Sequence, residues 1–130
     1  MNWALIGAST IAMSVWSMPS GALVSSHESF THPYAGSGLE VHGTKGSIFA
    51  RGVMTQKPVG QIELISANGH ESVPFPAHDL YTYGVARFCA AVTGRGTPAA
   101  TGTDGVKSLA VAQAVLVAAN DGCCVTVAYA

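Results

Sequence analysis

The strongest constraint on the fold is a change of periodicity near residue 79, where short alternating segments give way to segments with helical spacing. Before that point, three pairs of strand-like segments are joined at Pro19-Ser20-Gly21, Thr44-Lys45-Gly46 and Asn68-Gly69. Asn-Gly between alternating segments is the strongest short hairpin signal. Successive hairpins favour antiparallel pairing, so residues 13–76 are predicted to form a mainly antiparallel sheet.

Two helices are predicted after this point. Asp79 is a suitable N-cap for the first and Gly94 ends it, while Thr101 and Asp104 have capping-box spacing before the second, which ends at Gly122. The residues at helical spacing are Leu80, Tyr83, Arg87, Phe88 and Val92 in the first helix, and Val106, Leu109, Gln113, Leu116 and Val117 in the second. CVTV, residues 124–127, is predicted as a closing strand.

Strands followed by helices indicate an α+β fold, with two helices packed on one face of the sheet. Ile48, Phe49 and Ala50 are apolar on both faces of their strand, and so are Leu64 and Ile65. A large exposed apolar patch usually marks an interface. The other, open sheet face is therefore predicted to form a homodimer contact.

Composition argues against several classes of protein. The formal net charge is −1 and the six Lys and Arg residues are dispersed, so no basic stripe exists for nucleic acid. The apolar run from Ala4 to Met18 is too short to span a membrane, and no Lys or Arg precedes it. Cys89, Cys123 and Cys124 are an odd set, which favours thiols in a reducing compartment and predicts a cytoplasmic protein. The five histidines lack metal-ligand spacing, so no metal is predicted.

The first 12 residues, MNWALIGASTIA, follow a different pattern. WALIG has the character of a short buried strand, and Gly7–Ala12 fits G-x-G-x-x-A only if Ser9 replaces the middle glycine. A dinucleotide site needs a helix after such a turn, so that its N-terminus meets the pyrophosphate. Here a strand pattern begins at Met13 instead, so the motif by itself is weak.

The segment GLEVHGTKGSIFARGVMTQKPVG, from Gly38 to Gly60, resembles the C-terminal domain of the Gfo/Idh/MocA oxidoreductases. Together with SGALVSSHESFTHP, Leu80-Tyr81 and AATGTDGVKSLA, it is most similar to the family's 1,5-anhydro-D-fructose reductase branch. MNWALIGASTIA looks like the opening of that branch's cofactor domain. The resemblance implies residues 1–12 as a remnant of an NAD(P)-binding Rossmann domain, residues 13–130 as the substrate and oligomerisation domain, and a missing segment between them.

This resemblance implies hydride transfer between NADP or NAD and a sugar-like or cyclic carbonyl or alcohol, with a cyclic diol as an alternative substrate. Ser9, Thr10, Ile11 and Ala12 match the pyrophosphate-binding turn, although a repacked tail is the alternative for these residues. Tyr81 matches a tyrosine that reaches toward the cofactor, or else packs on the sheet.

The family's E-K-P lysine and its histidine segment have no counterpart in this sequence. No catalytic residue is therefore assigned, and the chain alone is predicted to be inactive. The alternatives are a non-catalytic homodimerisation or binding module, and a degraded gene product.

Overall fold

The structure, a computed structural model, describes residues 11–55 and 57–129. Over these residues it contains six strands and two helices, which confirms the α+β class. The elements are β1 (Ile11–Ser17), β2 (Leu23–Ser29), β3 (Gly38–Gly43), β4 (Gly46–Arg51), β5 (Gln61–Ser66), β6 (Gly69–Ser72), α1 (Leu80–Val92) and α2 (Gly102–Asp121). The chain divides into two compact units: the first runs up to Pro33 and resumes at Ala100, and the second is Tyr34–Ala99.

The first unit contains the hairpin of β1 and β2. Its strands are antiparallel, with Ser14 opposite Ser26 and Trp16 opposite Val24. The turn falls where the sequence predicted it, and the backbone N–H of Gly21 donates to the Met18 carbonyl at 2.9 Å. Gly21 has φ +87°, a left-handed conformation that glycine adopts without a steric penalty.

The core of the first unit lies along an alanine-rich face of α2. Ala114, Ala118 and Val127 are buried, and Trp16 of β1 packs against them. The predicted apolar stripe of α2 was wrong, because its larger members are exposed, namely Val106, Leu109, Leu116 and Val117. Alanines present little bulk, so neighbouring backbone and the indole of Trp16 can approach the helix closely.

At residues 124–127, where the sequence predicted a closing strand, the described residues form no strand pair. These residues are irregular and join neither sheet of the described chain. Val127 instead packs its side chain against Ala114 and Ala118, as part of the core. Burial of this side chain helps to hold the segment against α2.

The second unit contains a four-stranded antiparallel sheet in the order β3-β4-β5-β6. Its two hairpin turns, at Thr44-Lys45 and Ala67-Asn68, confirm the sequence prediction. The predicted strands thus fall into two separate sheets within the described residues, since β1 and β2 pair only with each other.

The two faces of the four-stranded sheet differ in chemistry. Cross-strand partners project to the same face, so the register assigns every side chain. We call one side the apolar face, which carries Leu39, Val41, Ile48, Ala50, Ile62 and Leu64, with Glu71 of the edge strand β6 beside Leu64. The opposite, mixed face carries Glu40, His42, Phe49, Arg51, Glu63, Ile65 and His70. Two weak contacts between histidine and glutamate lie on the mixed face, His42–Glu40 and His70–Glu63, each at 3.5 Å.

Helix α1 begins and ends as predicted. Asp79 is its N-cap, and Gly94 follows the C-cap with φ +72°. No residue of α1 is fully buried, and all the large apolar members of its predicted stripe are exposed. The least exposed positions are small or polar-tipped, namely Gly84, Arg87, Ala90 and Ala91. Neither α1 nor α2 has the length and apolar run that crossing a bilayer would require, and no other helix occurs in the described residues.

Candidate functional site on helix α1 and the neighbouring cavity

The residues that the sequence assigned to cofactor binding belong to different elements where the structure describes them. Ser9 and Thr10 fall outside the described residues, as does the predicted strand WALIG. Ile11 and Ala12 open strand β1, paired with Ser29 and Glu28. Tyr81 lies in the first turn of α1 with 62% of its surface exposed. Ile11 and Ala12 belong to the first unit and Tyr81 to the second.

The described residues do not fit the pyrophosphate of a dinucleotide. All the strand pairs they form are antiparallel, whereas a Rossmann site needs parallel strands joined through a helix. Both helix N-termini already carry a carboxylate. The Thr82 N–H donates to Asp79 Oδ1 at 2.7 Å, and the Thr101 N–H donates to Asp104 Oδ2 at 2.8 Å.

These hydrogen bonds also keep the two carboxylates charged. The bond from the Thr82 backbone is the main reason that the pKa of Asp79 is lowered, and the bond from the Thr101 backbone does the same for the pKa of Asp104. A negative charge at a helix N-terminus repels a second anion. Neither helix N-terminus is therefore available to a phosphate group.

The lowered pKa values predict a loss of helix in acid. A carboxyl group whose pKa is lower in the folded state stabilises the fold above its unfolded pKa, and this contribution disappears as pH falls through the folded pKa. We expect helical circular dichroism to decline between about pH 5 and pH 2. Asp79→Asn and Asp104→Asn together should reduce this decline, because asparagine caps a helix without titrating. Asp121→Asn, in the last turn of α2, is the control, and an unchanged acid transition in the double variant would contradict the assignment.

A polar network stabilises the side of α1 that carries Tyr83. The rings of His78 and Tyr83 have centroids 4.4 Å apart, and Arg87 Cζ lies 5.9 Å from the Tyr83 centroid. Arg87 also donates two hydrogen bonds of 3.2 Å to Thr97, in the loop that follows the helix. Sequence reasoning missed this network, although the four-residue spacing of Tyr83 and Arg87 was a visible signal.

Tyr81 lies on a different side of α1 from this network. Residues two positions apart in an α-helix are separated by about 200° around its axis, so Tyr81 and Tyr83 project in nearly opposite directions. An exposed stripe continues from Tyr81 at helical spacing and contains Val85, Phe88 and Val92. The phenol of Tyr81 therefore stands at one end of an exposed apolar surface.

A shallow cavity of ≈ 280 Å³ opens beside β5 and β6. Its lining is mostly apolar, with Gln61 and Ser72 as the polar side chains; the lining residues are Pro58, Val59, Gly60, Gln61, Ile62, Ser72, Val73, Pro74, Phe75 and Ala77. Such a mixture is typical of small-molecule sites. The cavity adjoins the end of the Gly38–Gly60 segment, which carries the family resemblance.

Other constellations do not assemble into a reactive centre. Ser26 and Glu28 are hydrogen-bonded on one face of β2, and His27 lies on the other, so they form no catalytic trio. In the described residues no three of His, Cys, Asp and Glu lie close enough together to hold a metal ion. Cys89, Cys123 and Cys124 are exposed and form no disulfide with one another.

Comparison with known proteins defines the class. A model of the oxidoreductase family's C-terminal α/β domain matches residues 12–127. The chain belongs to this family, the Gfo/Idh/MocA oxidoreductases, as its C-terminal domain. Among individual proteins, it is 48% identical over 103 residues to the 1,5-anhydro-D-fructose reductase of Ensifer adhaerens. That match covers 79% of this chain but only 31% of the relative. The resemblance found in the sequence is confirmed.

Proposed function

We propose that this chain is the substrate-side domain of an NAD(P)-dependent reductase that acts on 1,5-anhydro-D-fructose or a similar cyclic sugar carbonyl. The supporting observation is the 48% identity to a reductase of that substrate. We further propose that residues 1–12 are the opening of a Rossmann domain and that residues 13–130 form the substrate and oligomerisation domain. No hydride-transfer step is assigned to the described residues, since they do not fit the cofactor.

The part played by this domain is to bind and orient the substrate. A sugar ring has apolar C–H faces and polar edges, which match a wall of Pro, Val and Phe side chains with a few hydrogen-bonding groups. Gln61 and Ser72 supply those groups in the cavity beside β5 and β6. Tyr81 supplies an exposed phenol on α1. Its hydroxyl both donates and accepts a hydrogen bond, as a carbonyl or hydroxyl substrate requires.

A domain exchange tests this function. In the reductase of Ensifer adhaerens, the C-terminal domain is replaced by residues 12–127 of this chain, the range that matches the family model. We expect the chimera to oxidise NADPH or NADH in the presence of 1,5-anhydro-D-fructose. We expect the isolated chain to give no turnover above the blank. Without a positioned cofactor, the rate of hydride transfer should fall by far more than tenfold.

Two matched substitutions in the chimera test Tyr81. Tyr81→Phe removes only the exposed hydroxyl, and we expect kcat/KM to fall about tenfold, the usual effect of losing one hydrogen bond. Tyr83→Phe is the control, because its ring contacts with His78 and Arg87 persist. A folded chimera that binds the cofactor but leaves 1,5-anhydro-D-fructose unreduced would disprove the proposed function. Equal effects of the two substitutions on kcat/KM would contradict the assignment of Tyr81 to the substrate site.

The proposal includes self-association through the apolar face of the four-stranded sheet. Leu39, Val41 and Ile48 on that face are exposed, and six apolar side chains adjoin there, with the charge of Glu71 confined to the edge strand β6. The mixed face is a poorer interface, because its carboxylates and Arg51 would lose hydration.

We expect the chain to sediment as a dimer at tens of micromolar and Val41→Lys to sediment as a monomer. Ile65→Lys is the matched control, since Ile65 is similarly exposed but lies on the mixed face. A monomeric unmodified chain, or a dimer lost only in Ile65→Lys, would contradict the assignment to the apolar face.

A further inference from the structure

A second cavity, of ≈ 290 Å³, lies wholly within the first unit. It is lined by Trp16, Lys107, Ser108, Val111 and Tyr129. Its lining residues differ from Tyr81 and from those of the cavity beside β5 and β6. The proposed reductase function gives this second cavity no role.

The cavity follows from how the C-terminal segment packs. Val127 is buried against Ala114 and Ala118, which anchors that segment along α2. Lys107, Ser108 and Val111 lie on the same side of α2, three and four residues apart. Tyr129 and Trp16 line the cavity from outside the helix. Two aromatic side chains from different segments thus lie beside a single lysine.

The donor groups point to an anion. Lys107 forms no salt bridge with a carboxylate of the described residues, although the Asp104 carboxylate is near enough to interact with its charge. Asp104 itself accepts its hydrogen bonds from Thr101. The Ser108 hydroxyl already donates to the Asp104 carbonyl at 2.9 Å, so the Lys107 ammonium and the Tyr129 hydroxyl remain as donors. A cationic ligand would be repelled by Lys107, which excludes an aromatic cage for ammonium groups.

The apolar part of the lining indicates which group should accompany the anionic group of the ligand. A polyol would bring several hydroxyl groups and find few acceptors among the described lining residues, and each buried hydroxyl without a partner costs binding free energy. An aromatic ring instead gains contact with Trp16, Tyr129 and Val111. We infer that this cavity binds a single-ring aromatic carboxylate, with the ring against Trp16 and Tyr129 and the carboxylate on Lys107.

Benzoate is the probe for this inference, and benzamide is its neutral counterpart of nearly the same shape. The full chain is used with Trp3→Phe, so that Trp16 is the only indole that reports binding. We expect saturable quenching or shift of Trp16 fluorescence by benzoate, with affinity about tenfold higher than for benzamide, because a charged hydrogen bond to Lys107 is lost in benzamide. Added salt should weaken the binding of benzoate alone.

Two lysine variants decide whether the carboxylate is recognised. Lys107→Gln should lower benzoate affinity about tenfold and leave benzamide unchanged, whereas Lys45→Gln, in the β3–β4 turn, should affect neither. Circular dichroism of each variant checks that it is folded, and amide chemical shifts in α2 and near Tyr129 provide a readout independent of fluorescence. The inference is overturned if benzoate causes no saturable change at tens of millimolar, if benzoate and benzamide bind equally, or if Lys107→Gln binds benzoate normally.

Discussion

Ala118→Leu is expected to lower the free energy of unfolding of the first unit by about 3 kcal/mol, near the upper end for overpacking a core. Ala118 is only 2% exposed, and it packs with Ala114 and Val127 where Trp16 approaches α2. A leucine there adds three carbon atoms to a closely packed position, so neighbouring side chains such as Val127 must shift. Urea unfolding followed by Trp16 fluorescence in the Trp3→Phe background measures the change.

Ala112→Leu is the matched control for this prediction. Ala112 lies on the same helix, receives the same side chain and is exposed. Its stability should change by less than about 0.5 kcal/mol, as is usual for surface substitutions. Equal destabilisation by the two leucines would mean that the alanine-rich face of α2 does not form the core.

Gly60→Ala is expected to destabilise the second unit by about 3 kcal/mol, from backbone strain together with steric clash. Gly60 has φ +126°, a conformation that residues with a Cβ atom rarely adopt. An added Cβ would also lie 2.8 Å from Val53 Cγ1, 3.0 Å from the Arg51 carbonyl oxygen and 3.1 Å from the Gly52 carbonyl oxygen. Two of these three atoms belong to the backbone, so they cannot move aside by a simple rotamer change.

Gly69→Ala separates strain from clash. Gly69 has a similar φ of +117°, but nothing lies within 4 Å of the position that an added Cβ would occupy. The substitution should therefore cost only the conformational part, about 1–2 kcal/mol. Thermal and urea unfolding of both variants give the comparison. If Gly60→Ala proves no worse than Gly69→Ala, the close packing around Gly60, and with it the wall of the adjoining cavity, is not as described.

Local features of the fold were predictable because short-range chemistry specifies them. The Asn68-Gly69 turn, the Asp79 cap and the capping box of Thr101 and Asp104 each depend on residues within four positions of one another. The Gly122 C-cap, with φ +61°, is of the same kind. The local sequence is enough to predict these turns and caps, because the hydrogen bonds that form them join residues close together in the chain.

The candidate site was predictable only in part. The position of Tyr81 on a helix followed from the sequence, but its exposure and its separation from the Tyr83 network depend on which side of α1 is covered. Gly60 and Phe75 both line the cavity beside β5 and β6, and Trp16 and Tyr129 both line the cavity in the first unit. Contacts across so many residues leave no local pattern in a single sequence.

The sequence by itself determined the order of strands and helices, their turns and caps, and the family to which the chain belongs. Only the tertiary structure decided which faces are buried. Hydrophobic periodicity favoured Leu109 and Leu116 on α2, whereas the structure buries Ala114 and Ala118. It also divided the strands of the described residues between two sheets and packed Val127 against α2. The physical reason is that burial is not a property of one side chain: it depends on the shape of the surface opposite, and Trp16 and Val127 fit against small side chains.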